Sequence, residues 1–377
     1  MKKIMSKNRG ESLMKKLLFA AHDLDLGGIE TALVTFANCL SNKGYDVTIA
    51  LEKKEGVFLE RLDKNIKVVE YNTNNNKNII LRKICNLFNR ISFIVKYRNR
   101  FDFSASFATY SLASSFMART ASKNSALWCH ADYLTLYNGN KEEVKSFFKN
   151  VYCEKFNHII FVSEEGAKSF IGLFPNLKDR VMTCNNLING KEIIQKSKED
   201  IKEEMIQELK NKHIPIFLNV GRHDERQKKL TRIIEASKKL KEERFKFKVI
   251  FIGNGQDTDL YKQKVNEYQL EDTILFLGRK ENPYPYFRIS DCIILSSDYE
   301  GYPVVYLESF VLHKPIITTK VSDYEQVEDG RGIVVEKDTQ AIYMAMKEFI
   351  QNGYELKRPF DDQTYNENIV KTLETIF

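Results

Sequence analysis

The chain has 377 residues, 43% hydrophobic and 29% charged, which is material for two packed cores of about 150–200 residues each. No stretch approaches the roughly 18 consecutive apolar residues of a membrane-spanning helix, and the basic, polar start has no apolar run of the kind a secretory signal needs. The net charge of +7 is uneven: residues 1–190 hold 28 Lys+Arg against 18 Asp+Glu, and the remainder 30 against 33. An anionic partner is therefore expected for the amino-terminal half.

In chain order, residues 1–13 read as an extension ahead of a second candidate start at Met14. Lys16–Ala21 reads as a buried strand, followed by a loop ending in Gly27-Gly28. A helical period (Ile29, Leu33, Phe36, Leu40) and a second strand, 46–51, complete a βαβ unit. Paired glycines at a helix start let a ligand approach the backbone, although alone such a turn is structural more often than not. Asp23-Leu24-Asp25 mimics a D-x-D metal motif, but nothing nearby completes a site, so no metal is expected. The six cysteines (Cys39, Cys85, Cys129, Cys153, Cys184, Cys292) form no C-x-x-C pair and read as small core residues of a reducing compartment.

Ile66–Tyr71 is an expected third strand. The segment 79–100 reads as a helix with Ile80, Ile84, Leu87, Phe88, Ile91, Ile94 and Val95 at roughly helical spacing. It carries six cations and no acid. Such a helix suits either an anionic membrane surface or a core-facing position with a solvated basic edge. Strands are expected at 126–133 and 157–163, and the run 181–184 followed by 185–190 closes the first domain. His130 at the end of the first of these is placed to move protons near neutral pH. The first domain then runs 14–190, and residues 191–212 read as the interdomain connection.

The second domain, 213–362, opens with the strand 214–220 and Gly221-Arg222, with Lys228 just ahead of a helix. Arg offers a planar fork to phosphate oxygens and Lys a point charge. A strand at 247–252 ends at Gly253-Asn254-Gly255, and another lies at 273–278. Residues 279–286 read as a rigid loop, and strands at 314–319 and 332–335 complete the sheet. The run Cys292–Leu295 leads into Ser297-Asp298-Tyr299-Glu300-Gly301-Tyr302-Pro303-Val304-Val305-Tyr306-Leu307-Glu308. Pro303 suits the first turn of a helix, so Glu300 falls on a loop at a strand's carboxyl end and Glu308 inside the helix. The amides of Val304 and Val305 and the positive helix end favour an anion such as a diphosphate. A final helix is expected at 363–377.

These motifs, in this order, resemble the GT-B glycosyltransferases of glycosyltransferase family 4, a retaining, nucleotide-sugar-dependent group. The carriers are Gly27-Gly28-Ile29-Glu30, Val220-Gly221-Arg222 with Lys228, Gly253-Asn254-Gly255, and Glu300 to Glu308 as the family's E-x7-E signature. The resemblance implies an α/β fold of two Rossmann-like domains facing across a cleft. It implies a hexosyltransferase-type enzyme that moves a sugar from a UDP-sugar to a saccharide hydroxyl without metal or other cofactor. Arg222 and Lys228 would grip the diphosphate and Glu308 the ribose. Glu300 and His130 would face the donor sugar. Gly27 and Gly28, with the backbone of Gly301, Tyr302, Pro303 and Val304, would help to hold the donor. Lys229 departs from the family's usual glycine at that place.

The basic first half fits a lipid-linked saccharide acceptor, as in capsule or exopolysaccharide synthesis, with a soluble acceptor as the alternative, and a cytoplasmic protein held peripherally at the inner membrane face. A nucleotide-sugar epimerase of the same architecture and a non-catalytic partner subunit are the competing readings. A nucleic-acid partner is not expected, because no recognition module accompanies the charge.

Overall fold

The computed structural model describes residues 14–25, 27–74, 77–203, 206 and 214–377. The expected 1–13 extension and much of the connection at 204–212 lie outside them. Apolar runs of four to six residues become strands buried on both faces, as parallel sheets require. Two sheets result. The first has seven strands: β1 (Lys16–Ala21), β2 (Asp46–Leu51), β3 (Lys67–Glu70), β4 (Phe103–Ser106), β5 (Ser125–Cys129), β6 (His158–Phe161) and β7 (Val181–Thr183), in the order β3-β2-β1-β4-β5-β6-β7. The second has six: β8 (Ile216–Val220), β9 (Lys248–Ile252), β10 (Ile274–Phe276), β11 (Cys292–Leu295), β12 (Ile316–Thr319) and β13 (Gly332–Val335), in the order β10-β9-β8-β11-β12-β13.

Both orders are doubly wound. They reverse direction between the first strand and the fourth, β1/β4 and β8/β11, and crevices for ligands form at the carboxyl ends of such strands. The registers Phe217↔Cys292 and Leu218↔Ile293 set β8 and β11 side by side. The loops that follow these two strands are therefore neighbours.

Strand β4 is absent from the sequence reading. Its residues, Phe103-Ser104-Ala105-Ser106, are half polar, yet all are buried. The cost of desolvating the serines is offset because each is hydrogen-bonded: Ser104 Oγ donates to Ala118 O at 2.6 Å and Ser106 Oγ to Ser114 Oγ at 3.1 Å. Residues 284–286, expected as loop, begin a short helix, Tyr284–Ile289. Pro303 stands one residue before its helix, Val304–Val311, with extended backbone. The expected 363–377 helix spans Asp362–Glu374.

The chain divides into two compact units: residues 1–129 with 147–160 and 373–377, and residues 130–146 with 161–372. The first unit's core centres on Phe19, Phe36, Phe107 and Trp128, all fully buried, with Trp128 5.0 Å from Phe36 and 4.9 Å from Phe107 between ring centres. The second unit's core packs Phe217, Val249, Phe251 and Ile294 of the sheet against Leu230, Ile233 and Ile234 of the helix Leu230–Glu242, and against Ile342, Met346 and Phe349 of the helix Thr339–Asn352.

Candidate functional site

The loops after β8 and β11 are stitched by backbone and small polar groups before any charge is considered. Ser296 is fully buried, and its Oγ lies 2.9 Å from the carbonyls of both Lys228 and Lys229. Asp298 N–H donates to Gln227 O at 2.8 Å, and Gln227 Nε2 to Tyr299 O at 3.3 Å. To turn both carbonyls toward Ser296 and enter the helix Leu230–Glu242, the chain passes through a left-handed residue. That residue is Lys229, at φ 51°. The conformation suits glycine; a lysine holds it at a cost of about 1 kcal/mol, which accounts for glycine being expected here.

This stitching brings three of the expected residues together. Lys228 Nζ lies 2.6 Å from Glu300 Oε1. Ser297 Oγ donates to the same oxygen at 2.6 Å, and Gln227 Nε2 reaches Glu300 Oε2 at 3.3 Å. Gln227 Oε1 in turn accepts from Arg222 at 3.1 Å, so Arg222, Gln227, Glu300 and Lys228 form one network. Glu300 is only 7% exposed, whereas the Lys228 side chain is 21% and that of Arg222 67% exposed. The network is thus a buried carboxylate, a half-buried ammonium above it and a solvent-facing guanidinium.

The wall beside it is built on backbone contact. Gly253 sits at φ +142°, and a Cβ there would fall 1.8 Å from Gly221 O, so the Gly253-Asn254-Gly255 loop lies directly on the loop that carries Arg222. His223 N–H donates to Asn254 O at 3.0 Å across the same junction.

Gly301 is constrained in the same way. A Cβ there would lie 1.9 Å from His130 O, within the second unit. His130 therefore meets the Glu300–Val304 loop through its backbone. Gly301→Ala is expected to force the two segments apart and lower stability by about 1–3 kcal/mol, seen as a drop of several degrees in Tm. An unchanged Tm would show that the contact yields freely.

Glu308 lies about one turn into the helix Val304–Val311. Its partner is Tyr284, whose hydroxyl donates to Oε1 at 3.1 Å. Burial raises its carboxyl pKa to about 7, opposed by the Tyr284 bond. The first amides of this helix have no intrahelical acceptor and flank Gly301, Tyr302 and Pro303. The Tyr302 side chain is turned into the protein, bonded to Gln326 at 3.1 Å and to Tyr365 at 3.2 Å. Only the backbone of Tyr302 is left to serve a ligand.

Gly27 and Gly28 belong to the first unit, at the start of the helix Gly28–Asn42. Nothing lies within 4 Å of a Cβ built on Gly28, so the protein's own packing does not demand a glycine there. Asp23 and Asp25 form a local turn, Asp25 N–H donating to Asp23 Oδ1 at 3.1 Å. Among the described residues, no group of three or more His, Cys, Asp or Glu is arranged to hold a metal.

Sequence reasoning missed Gln227, Ser297 and Tyr284. Ser297 and Gln227 adjoin motif residues, which is the only signal they carry. Tyr284 carries none, because its partner is 24 residues away in sequence.

Residues 200–367 match the family model described as glycosyl transferases group 1. Anabaena HepE in complex with UDP and glucose superposes with a TM-score of 0.74 at 16% identity, covering 96% of this chain and 99% of that one. The chain has the GT-B fold. Among curated proteins, an uncharacterized glycosyltransferase of Methanocaldococcus jannaschii is 28% identical over 169 residues, 45% of this chain and 41% of that protein. The N-acetylgalactosamine-N,N'-diacetylbacillosaminyl-diphospho-undecaprenol 4-alpha-N-acetylgalactosaminyltransferase of Campylobacter jejuni is 26% identical over 213 residues, 55% of each chain. The chain thus spans about half the length of these curated relatives. In the GT-B frame, the group 1 match contains Arg222, Lys228, Glu300 and Glu308 and leaves out His130, Gly27 and Gly28.

Proposed function

We propose that this GT-B protein is a retaining glycosyltransferase of family 4. It transfers a sugar from a UDP-sugar to a saccharide hydroxyl, without a metal, at the cytoplasmic face of the membrane. The observation that carries the reading is the Lys228–Glu300 pair at the β8/β11 switch point, joined through Gln227 to the exposed Arg222. A departing diphosphate needs positive charge held in place before it leaves. Arg222, Lys228 and the amides at the start of Val304–Val311 supply it. Glu300, held by three donors, faces the developing positive charge on the donor sugar, and His130 contacts the same sugar. Gly27 and Gly28 assist at the diphosphate. UDP is bound in the HepE structure, and the Campylobacter relative is named for a diphospho-undecaprenol acceptor, which favours a lipid-linked saccharide here in surface-polysaccharide or capsule synthesis.

A screen of UDP-sugars, read as release of UDP with and without saccharide acceptors, tests the reading. Acceptor-dependent release that persists in EDTA is expected. Conversion of the donor to an epimer with no acceptor present would replace the transferase reading with an epimerase one.

Glu308 gives the donor site a pH signature. Ribose hydroxyls donate to a carboxylate and favour its ionised form, whereas burial holds the free carboxyl protonated below about 7. Affinity for UDP-glucose, whose diphosphate does not titrate in this range, is therefore expected to weaken about tenfold between pH 8 and pH 6. A proton is released on binding near pH 6, and Glu308→Gln abolishes the pH step. Calorimetry at the two pH values checks this; equal affinities would remove Glu308 from the ribose.

A further inference from the structure

The helix Ile79–Tyr97 is amphipathic and is mounted with its apolar side outward. At about 100° per residue, Ile80, Ile84, Leu87, Phe88, Ile91 and Val95 fall within an arc of roughly 120°. All six are between 46% and 72% exposed. The side facing the protein is roughly opposite and largely polar. Asn86 exchanges two hydrogen bonds with the backbone of Asn74, at 2.8 and 3.2 Å, and Asn89 donates to Asn72 O at 2.6 Å. Arg90 lies over the Phe116 ring at 4.6 Å. Phe93 is the helix's one buried residue, packed on Tyr71 and Phe116.

An apolar stripe of this size in water needs an occupant, and charge identifies it. Lys83 borders the stripe, Arg82 and Lys96 lie farther round the helix, Arg98 and Arg100 follow it, all five are exposed, and residues 79–100 contain no acid. A second copy of the chain would bring two such rims together and meet like charge. An anionic lipid surface complements both features, taking apolar side chains among its acyl chains and cations at its headgroups. We propose that the helix Ile79–Tyr97 lies in the plane of an anionic bilayer, its outward stripe inserted and its cations at headgroup level.

Vesicle flotation of the full chain tests this, using phosphatidylcholine with and without phosphatidylglycerol. The protein is expected to float with the anionic vesicles. The triple variant Leu87→Gln, Phe88→Gln, Ile91→Gln is expected to lose binding by about tenfold or more with an unchanged Tm, since these side chains face solvent. The triple variant Arg82→Gln, Lys83→Gln, Lys96→Gln is expected to lose the preference for anionic lipid. Failure of the unmodified chain to float at low salt overturns the proposal, as does undiminished binding by the apolar variant. A dimer in light scattering that the apolar variant disperses assigns the stripe to a second copy instead. The proposal deepens the reading of a lipid-linked acceptor and in that sense rests on it. Flotation is scored without donor, however, so its failure and the failure of UDP release are separate results.

Discussion

Lys228→Met is expected to lower turnover about 10²–10³-fold, the scale for removing one preorganised charge contact, and to weaken the fold as well. Glu300 is 7% exposed and would keep Ser297 and Gln227 but lose the ammonium at 2.6 Å. Breaking a fully buried pair from one side costs about 3–5 kcal/mol. The lysine's 21% exposure lets water reach the carboxylate and reduces this to about 1–3 kcal/mol. The double variant Lys228→Met, Glu300→Gln removes the stranded charge. It is expected to recover most of the lost stability while turnover stays low. Thermal melts and UDP release on the three proteins separate the effects. A single variant that melts and turns over like the parent would show that the pair is ornamental.

Arg222→Ala is expected to cost about 10² in turnover with Tm unchanged to within about a degree. The contrast with Lys228 follows from position. The Arg222 side chain is 67% exposed, and its partner Gln227 keeps its bonds to Tyr299 and Glu300 when the guanidinium is gone. Arg222→Lys should recover only part of the loss, because an ammonium lacks the planar fork that meets two phosphate oxygens. A rise in KM with kcat intact would assign Arg222 to uniform donor binding and away from the leaving group.

The doubly wound sheets, the glycine loops and the loops after β8 and β11 can be read from sequence because each depends on local signals: apolar runs, Gly–Gly pairs and a proline before a helix. What escapes depends on partners distant in sequence. β4 is hidden because Ser104 and Ser106 look like surface residues until Ala118 and Ser114 are in place to satisfy them. The carboxylate of Glu300 is legible, yet Gln227, 73 residues away, is not. The helix at 79–97 shows the limit most clearly. Its stripe is plain in the sequence, but periodicity does not say which side faces inward. Phe93, Asn86 and Asn89 decide that by docking.

The division of the chain into two units has a practical consequence. The polypeptide leaves the first unit after Cys129, returns for 147–160, leaves again, and comes back for 373–377. There the Phe377 ring packs 4.9 Å from Phe103 and edge-on 5.6 Å from Tyr45, and Asn124 and Lys15 hold the carbonyls of Ile376 and Phe377. No single cut in the gene can therefore release either unit whole. Losing residues 373–377 would strip aromatic packing from the unit built mainly of residues 1–129, so that a change there would surface as instability far away in sequence.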